Sequence, residues 1–328
     1  MVRIRQGWLV VMLGLGLLTA CKKDDKSGSA SGDKSAEKAD KGGVASGDDL
    51  ALLPVDSEAV LGINFAQVQG SALWKQFIEP KMMSGQMGQL NAEMKAKCGY
   101  DPTNSVKSIS IGVKQGADRS KPNGVLVAHG ADKAKAAQCL DAMKDEMAKQ
   151  GTTMTRDGDV WLFANTKGGP PAALTFVNDS TVVAVFGDNA SAAGLKTVTA
   201  GGSKLKDSAG FVERYKKINT GDSLWMLVSG KMLDSIPGKP KAAFGSVNVT
   251  DGLAVDFRIQ FENAEAAAQA ASMTTLQAKQ AQAYVDKAEF TSDGAELHAQ
   301  VVMSSQKLQA LVSQLGGLLG AFGGMGNQ

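Results

Sequence analysis

Apolar side chains recur along this chain at two spacings, every second residue in some stretches and every third or fourth in others. The clearest alternation covers residues 59–65, where Ala59, Leu61 and Ile63 share one face of a predicted strand. Asp132 is the predicted N-cap of a later helix. In chain order, the first part of the pattern predicts a strand, a helix interrupted by glycines, two strands and a second helix, over 59–65, 72–97, 106–113, 124–129 and 132–149.

Three Asp-Gly pairs separate alternating apolar stretches, at Asp157-Gly158, Asp251-Gly252 and Asp293-Gly294. Each pair predicts a tight hairpin, because both residues tolerate the positive φ angles of a type I′ turn. Asn178-Asp179 predicts a fourth hairpin. The sheets are therefore expected to be largely antiparallel.

The same order of elements is predicted a second time after residue 206, as a strand, a helical turn, two strands, a helix and a hairpin over 223–229, 231–236, 242–249, 253–261, 264–284 and 288–302. The matching hairpin of the first pass is the one over 153–164. This repetition predicts an α+β fold of two related units, each a largely antiparallel sheet with packed helices. The predicted units span residues 49–205 and 206–315, and a glycine-rich tail follows at 316–328.

The N-terminal segment combines Arg3 and Arg5 with an apolar stretch over residues 8–18. That stretch is about ten residues long, whereas a membrane-spanning helix needs roughly twenty. It ends in Leu18-Thr19-Ala20-Cys21, which resembles the lipobox of bacterial lipoproteins. From the residues alone, an ordinary secretory signal with an incidental cysteine, or a buried apolar helix, is the alternative.

The lipobox resemblance implies that residues 1–20 are a signal peptide, cleaved between Ala20 and Cys21. It also implies that diacylglycerol is attached to Cys21 and that the new N-terminus is acylated, with chains such as palmitate. Two or three chains, at ~0.8 kcal/mol per buried CH₂, hold a protein on a membrane almost irreversibly. In that family an Asp after the cysteine signals retention in the inner membrane, so Lys22 favours the outer membrane, on its periplasmic or its surface face.

Residues 22–48 contain Val44 as their one large apolar residue. Such a segment buries too little apolar surface to offset its ordering entropy, so the linker over 21–48 is predicted to be disordered. A flexible chain of this length spans roughly 25–30 Å root-mean-square. The linker is expected to lift a folded body away from the membrane.

Charge is balanced once the signal peptide is removed. The whole chain has 35 Lys and Arg against 33 Asp and Glu, and the loss of Arg3 and Arg5 leaves 33 of each sign. A nucleic-acid partner is therefore not expected, because binding of that kind needs a clustered positive face.

The start of the folded body combines Leu53-Pro54-Val55-Asp56 with Trp74 in the first helix. This unit resembles uncharacterised bacterial cell-envelope lipoproteins with a duplicated α+β body. The resemblance covers most of residues 50–315 and implies a fold, with no established activity.

Three cysteines are present, and lipidation of Cys21 leaves Cys98 and Cys139. Two thiols in an exported domain commonly pair, and a Cys98–Cys139 disulfide is predicted to tie the first two long helices together. The enclosed loop corresponds to roughly 4 kcal/mol in the chain-entropy model. Two separate buried free cysteines are the alternative. A catalytic or metal role is not expected, since the chain has no C-x-x-C motif.

Candidates for chemistry are few. His129 and His298 each lie in or beside a predicted strand, without a second histidine or cysteine at ligand spacing. Ser304 and Lys307 match a Ser-x-x-Lys pattern, but helix capping explains a serine there. Asp157-Gly158-Asp159 lacks the remaining ligands of a calcium loop. No catalytic, cofactor-binding or metal-binding residue is therefore predicted.

Four methionines cluster along the first long helix, at Met82, Met83, Met87 and Met94. Core filling is the usual reason for such a cluster, and an adaptable surface for apolar ligands is the other.

Together these features predict a non-enzymatic envelope lipoprotein with a structural or protein-interaction role. Its expected partners are the membrane, through the lipid, and an unidentified envelope protein, without a cofactor or metal. The first alternative is a carrier or chaperone for an apolar ligand such as lipid, and the second is a hydrolase whose site the sequence does not announce.

Overall fold

The computed structural model describes residues 49–80, 86–99, 101–116, 122–234, 236 and 238–312. The predicted signal peptide, Cys21, the linker before residue 49, Met82, Met83 and the tail over 316–328 lie outside the described residues. Cleavage, lipidation and the state of the linker therefore stay predictions.

The first part of the chain forms β1 Ala59–Asn64, α1 Phe65–Gly70, α2 Gln86–Cys98, α3 Pro102–Ser105, β2 Ser108–Lys114, β3 Asn123–His129, α4 Lys133–Lys149, β4 Thr152–Asp157, β5 Val160–Asn165, β6 Ala172–Phe176 and β7 Thr181–Phe186. The second part forms α5 Ala192–Ala200, α6 Ala209–Tyr215, β8 Leu224–Ser229, β9 Ala242–Asn248, β10 Gly252–Gln260, α7 Ala264–Ala281, β11 Lys287–Asp293 and β12 Glu296–Ser304. Shorter helical turns cover Asp49–Ala51, Trp74–Ile78, Leu205–Asp207 and Gly230–Leu233, and residues 305–312 are helical.

The twelve strands of the described ranges join one sheet in the order β11-β12-β10-β9-β8-β1-β2-β3-β7-β6-β5-β4. Every neighbouring pair in the described residues is antiparallel. The predicted α+β class and the largely antiparallel pairing are confirmed.

The two predicted units meet at the centre of this sheet, where their first strands, β1 and β8, pair with each other. We name the strands from β1 outward, β1–β7, the first half of the sheet. The second half consists of the strands from β8 outward, β8–β12. In each half a hairpin follows the central strand, then a long helix, then a hairpin that returns to the sheet. The boundary between residues 205 and 206 stays a prediction. Strands from both sides of it belong to one continuous sheet.

The predicted correspondence between the hairpins over 153–164 and 288–302 is wrong in space. In the second half, β12 of the β11–β12 hairpin pairs with β10. The equivalent place beside β3 belongs to β7, so β6–β7 is the spatial counterpart and β4–β5 lies at the far edge. Element order in the chain cannot distinguish these two hairpins, because register with β3 depends on contacts distant in sequence.

Alternation divides the sheet into two faces. We name face A the one that carries Val127, Val183, Trp225, Leu227 and Phe244. All five are nearly fully buried, in one cluster with the segments over 50–53 and 205–218 that cross this face. That cluster includes residues of both halves, so the halves share a core.

Gly62 marks the tightest point of that core. A Cβ at this position would lie 2.0 Å from Nε1 of Trp225, on the neighbouring strand β8. Only glycine leaves room for the indole ring, which also meets Tyr215 edge-on at 5.2 Å between ring centroids.

The opposite face, face B, is covered by helices. α4 packs over the outer strands of the first half, on Trp161 and Phe176. α1 and the turn Trp74–Ile78 cover the centre, and α7 covers Leu297 in the second half. No described helix is long and apolar enough to cross a membrane.

All three Asp-Gly pairs lie between paired strands, but two of the turns are moved by one residue, and Asp251-Gly252 lies in a longer connection because the β9–β10 ladder ends at Asn248 and Ala254. Asp157 pairs with Val160 as the last residues of their ladder, so Gly158 and Asp159 form the turn. The same shift applies to Asp293, which pairs with Glu296. Gly158 takes a positive φ of 58° and neither Asp157 nor Asp159 has one, so the expected type I′ turn is wrong for this hairpin.

The predicted disulfide is present between Cys98 at the end of α2 and Cys139 inside α4, with a Cα–Cα distance of 5.0 Å. Met94 and Met143 pack beside it. Met94 is therefore part of the packing between α2 and α4, in line with core filling.

Candidate ligand-binding cleft

A cleft of about 630 Å³ lies on face A of the first half, between helix α5 and the N-terminal segment over 52–57. Its floor contains Val125 and Val185, from the neighbouring strands β3 and β7. This volume is within the range of roughly 300–1,000 Å³ that small-molecule sites occupy.

Helix α5 forms one wall through small side chains. Ser191 caps the helix, its hydroxyl accepting the N–H of Gly194 at 3.0 Å. Ala193, Gly194 and Thr197 face the cleft, while Leu195 is buried in the core on the other side. The space exists because this face of the helix carries no large residue.

The opposite wall is a two-stranded clasp. Pro54 pairs with Lys204 in an antiparallel bridge, the N–H of Val55 donates to the carbonyl of Ser203 at 3.2 Å, and the N–H of Leu205 donates to the carbonyl of Leu53 at 2.9 Å. The first folded residues are thereby fixed to the segment that follows α5. Leu52 and Val55 present apolar surface to the cleft.

Charged side chains of both signs line the cleft, and Asp56 and Asp188 among them are exposed to solvent. Lys114 pairs with Asp56 at 2.5 Å, and Asp188 accepts a hydrogen bond from the Asn123 side chain at 3.0 Å. The Lys204 ammonium donates to the carbonyl of Val198 at 2.7 Å. Two cationic and two anionic side chains therefore line the cleft, and none of its described lining residues is His or Cys.

A buried polar cluster lies on the same face, further along the strands. Asp49 is 1% exposed, and its two oxygens contact Nε2 of His129 and the hydroxyl of Ser110, each at 2.7 Å. Nδ1 of His129 lies 3.1 Å from the hydroxyl of Thr181. The cluster attaches the first described turn of the chain to three neighbouring strands.

Tyr215 lies close enough to this cluster to interact electrostatically with Asp49. Burial raises the pKa of its hydroxyl, the negative charge of Asp49 raises that pKa further, and a hydrogen bond with Thr220 opposes the shift. The phenol therefore stays neutral beside a buried carboxylate.

The hydrogen-bonded series Thr181, His129 and Asp49 resembles a hydrolase triad. A substrate cannot reach its hydroxyl groups. Thr181 is 5% exposed and Ser110 is 0% exposed, so neither hydroxyl reaches a substrate. Ser110 also donates to Asp49 and not to His129. His129, the last residue of β3, is 30% exposed and forms a structural pair with buried Asp49.

His298 forms a second pair with a carboxylate on face A, in the second half. Its Nε2 lies 2.8 Å from Asp256, whose other oxygen accepts from Gln300 at 2.9 Å. Burial opposes ionisation of Asp256, but the hydrogen bonds from Gln300 and His298 and the charge of Arg258 outweigh it and lower the pKa of this carboxyl.

The remaining sequence candidates form no site. Lys307 contacts Asp286 at 2.9 Å, and the same carboxylate accepts the backbone N–H of Ser304, so the Ser-x-x-Lys pair belongs to a structural contact. The carbonyl of Gly158 accepts from Arg156, as expected for a hairpin turn. Over the described ranges, no three His, Cys, Asp or Glu side chains converge as metal ligands.

Sequence reasoning missed the cleft and the role of Asp49. Helix α5 carried a readable signal, Ser191 followed by small and apolar residues, but its contact with 52–57 has none. Asp49 was expected at the domain boundary only, because the strands that bind it come 61 and 80 residues later.

Comparison with known proteins adds the fold alone. No family model matches the chain, and no curated protein does. A solved structure, crystal form I of TP0453, is similar over 81% of this chain and 97% of its own length, with a TM-score of 0.51 and 10% identity. At that identity the likeness concerns architecture, and it spans both halves of the sheet.

Proposed function

We propose that this protein is a lipid-anchored protein of the bacterial envelope whose body acts without catalysis, by binding another molecule. The observation that carries the proposal is Leu18-Thr19-Ala20-Cys21 at the end of a short apolar stretch, followed by 27 residues of which Val44 is the one large apolar residue, before the described residues begin at Asp49. The likeness to TP0453 is compatible with it through the fold only.

The site chemistry supports a binding role over a catalytic one. The cleft combines an apolar floor with polar groups at its opening, the usual composition of a ligand site. Both histidines lie outside it, each hydrogen-bonded to a carboxylate.

The anchor is tested by growth with labelled palmitate, followed by membrane fractionation. The protein should carry label and float with outer membranes, whereas Cys21→Ser should lose the label and leave the membrane fraction. Lys22→Asp is the matched control, which should keep the label and move toward the inner membrane. Label on the Cys21→Ser protein would contradict the proposal.

A second candidate function is favoured by the cleft itself, a carrier or chaperone for an apolar ligand. Native mass spectrometry of the chain from Lys22 onward tests it without the anchor. That chain contains every residue the structure describes. A co-purifying lipid supports the carrier, and consistently empty protein contradicts it.

A further inference from the structure

The walls of the cleft have several of their backbone groups already paired. Its clasp wall has its backbone groups paired between 53–55 and 203–205, and Ser191 satisfies the N–H of Gly194 at the start of the other wall. An extended peptide placed there would find few backbone partners on these walls for its own N–H and C=O groups. An aliphatic chain has no such groups.

The floor and both walls supply apolar surface for an aliphatic chain. The apolar lining residues are Leu52, Val125, Val185 and Val198. Ala193 and Gly194 are too small to fill the cleft. Burial of each methylene on such a surface strengthens binding by a near-constant factor.

Charge at the opening is balanced, with Lys114 and Lys204 against Asp56 and Asp188. A free phosphate or carboxylate would meet anionic as well as cationic groups there. A polar end with no net charge meets complementary groups of both signs.

We infer that the cleft binds an amphiphile with one aliphatic chain, which lies along the floor, and a polar end without net charge at the opening. This inference rests on the carrier role proposed above and names its ligand class. One chain is inferred because the cleft has about 630 Å³ between a single helix and a single clasp.

The test is calorimetric titration of the chain from Lys22 onward with lysophosphatidylcholines of eight, ten and twelve carbons, below their micelle concentrations. Affinity should rise about three- to four-fold for each added methylene that the cleft accommodates. Fatty acids of the same chain lengths, which carry a net negative charge, should bind more weakly. Affinity that is independent of chain length, or equal or tighter binding of the fatty acids, would overturn the inference.

Filling the cleft locates the binding. Thr197→Trp places an indole in the cleft and should lower affinity at least tenfold, and Ala193→Phe should act in the same direction. Lys196→Trp, on the same helix but not among the cleft residues, is the control and should bind like the parent. Circular dichroism checks that each variant is folded, and unchanged affinity in both folded cleft variants would place the ligand elsewhere.

Failure here is distinguishable from failure of the anchor. Lipidation and fractionation depend on Cys21 and not on the cleft. A protein that is labelled and membrane-bound but binds no lysophosphatidylcholine would contradict the ligand class and leave the envelope proposal intact.

Discussion

The two halves of the sheet share a layout but are held in different ways. In the first half a disulfide joins α2 to α4, and buried Asp49 attaches the start of the fold to the strands. In the second half α7 has no such covalent bond, and it leaves Met273 and Leu276 more than half exposed. The strongest constraints therefore lie in the half that also carries the cleft.

The two histidine pairs show the same contrast at the scale of single residues. Their hydrogen-bond lengths are alike, 2.7 Å for His129–Asp49 and 2.8 Å for His298–Asp256. The Asp49 side chain is 1% exposed and that of Asp256 is 44% exposed. Burial, more than bond length, decides how much each pair contributes to stability.

Removal of the disulfide should have the largest effect. The double variant Cys98→Ser with Cys139→Ser is expected to lose up to about 4 kcal/mol of unfolding free energy, since the unfolded chain is no longer restrained by the 41-residue separation. Urea denaturation measures the loss. An unchanged midpoint would mean that the first half is not held by this bond.

Removal of Asp49 should come next. Asp49→Ala removes the carboxylate that buried Ser110 and Nε2 of His129 share, and we expect a loss of about 3 kcal/mol. Asp256→Ala is the matched variant in the second half and should cost less than about 1 kcal/mol. Equal losses would show that the halves are held alike.

Helix caps test the covering helices. Asp132 accepts from the N–H of Lys135 at the start of α4, and Asn263 accepts from the N–H of Ala266 at the start of α7. Alanine at either position should cost about 1 kcal/mol of helix stability. Amide hydrogen exchange should speed up along α7 in Asn263→Ala, while α4, restrained by the disulfide, changes less in Asp132→Ala. Similar acceleration in both helices would contradict the comparison.

The smallest effect is an acid dependence in the second half. The pKa of Asp256 is lowered from its ordinary value of 3.8, so its contribution is complete above that value and is lost as the pH falls through the lowered pKa. The stability difference between the parent and Asp256→Asn should therefore shrink below about pH 3.8. Thermal unfolding at several pH values measures it, and a difference that grows toward acid would have the wrong sign.

Local pattern predicted much of this fold. The strand over 59–65 appears as Ala59–Asn64, and the helix expected from Asp132 to Lys149 has that residue as its cap. These elements follow from alternation and capping, which involve neighbouring residues. The turns at Asp157 and Asp293 were placed in the right loops but one residue off, because the strand register decides which residues enter the turn.

By itself, the sequence determined the α+β class, the antiparallel pairing and the resemblance of Leu18-Thr19-Ala20-Cys21 to a lipobox, and it predicted the Cys98–Cys139 bond with two free cysteines as the alternative. Those features depend on periodicity, on turn chemistry and on a count of cysteines. Only the tertiary structure decided that β1 meets β8, that Asp49 is buried against His129, and that α5 stands apart from 52–57 to leave a cleft. These last features join residues far apart in the chain, and their positions depend on how the side chains of both halves pack together.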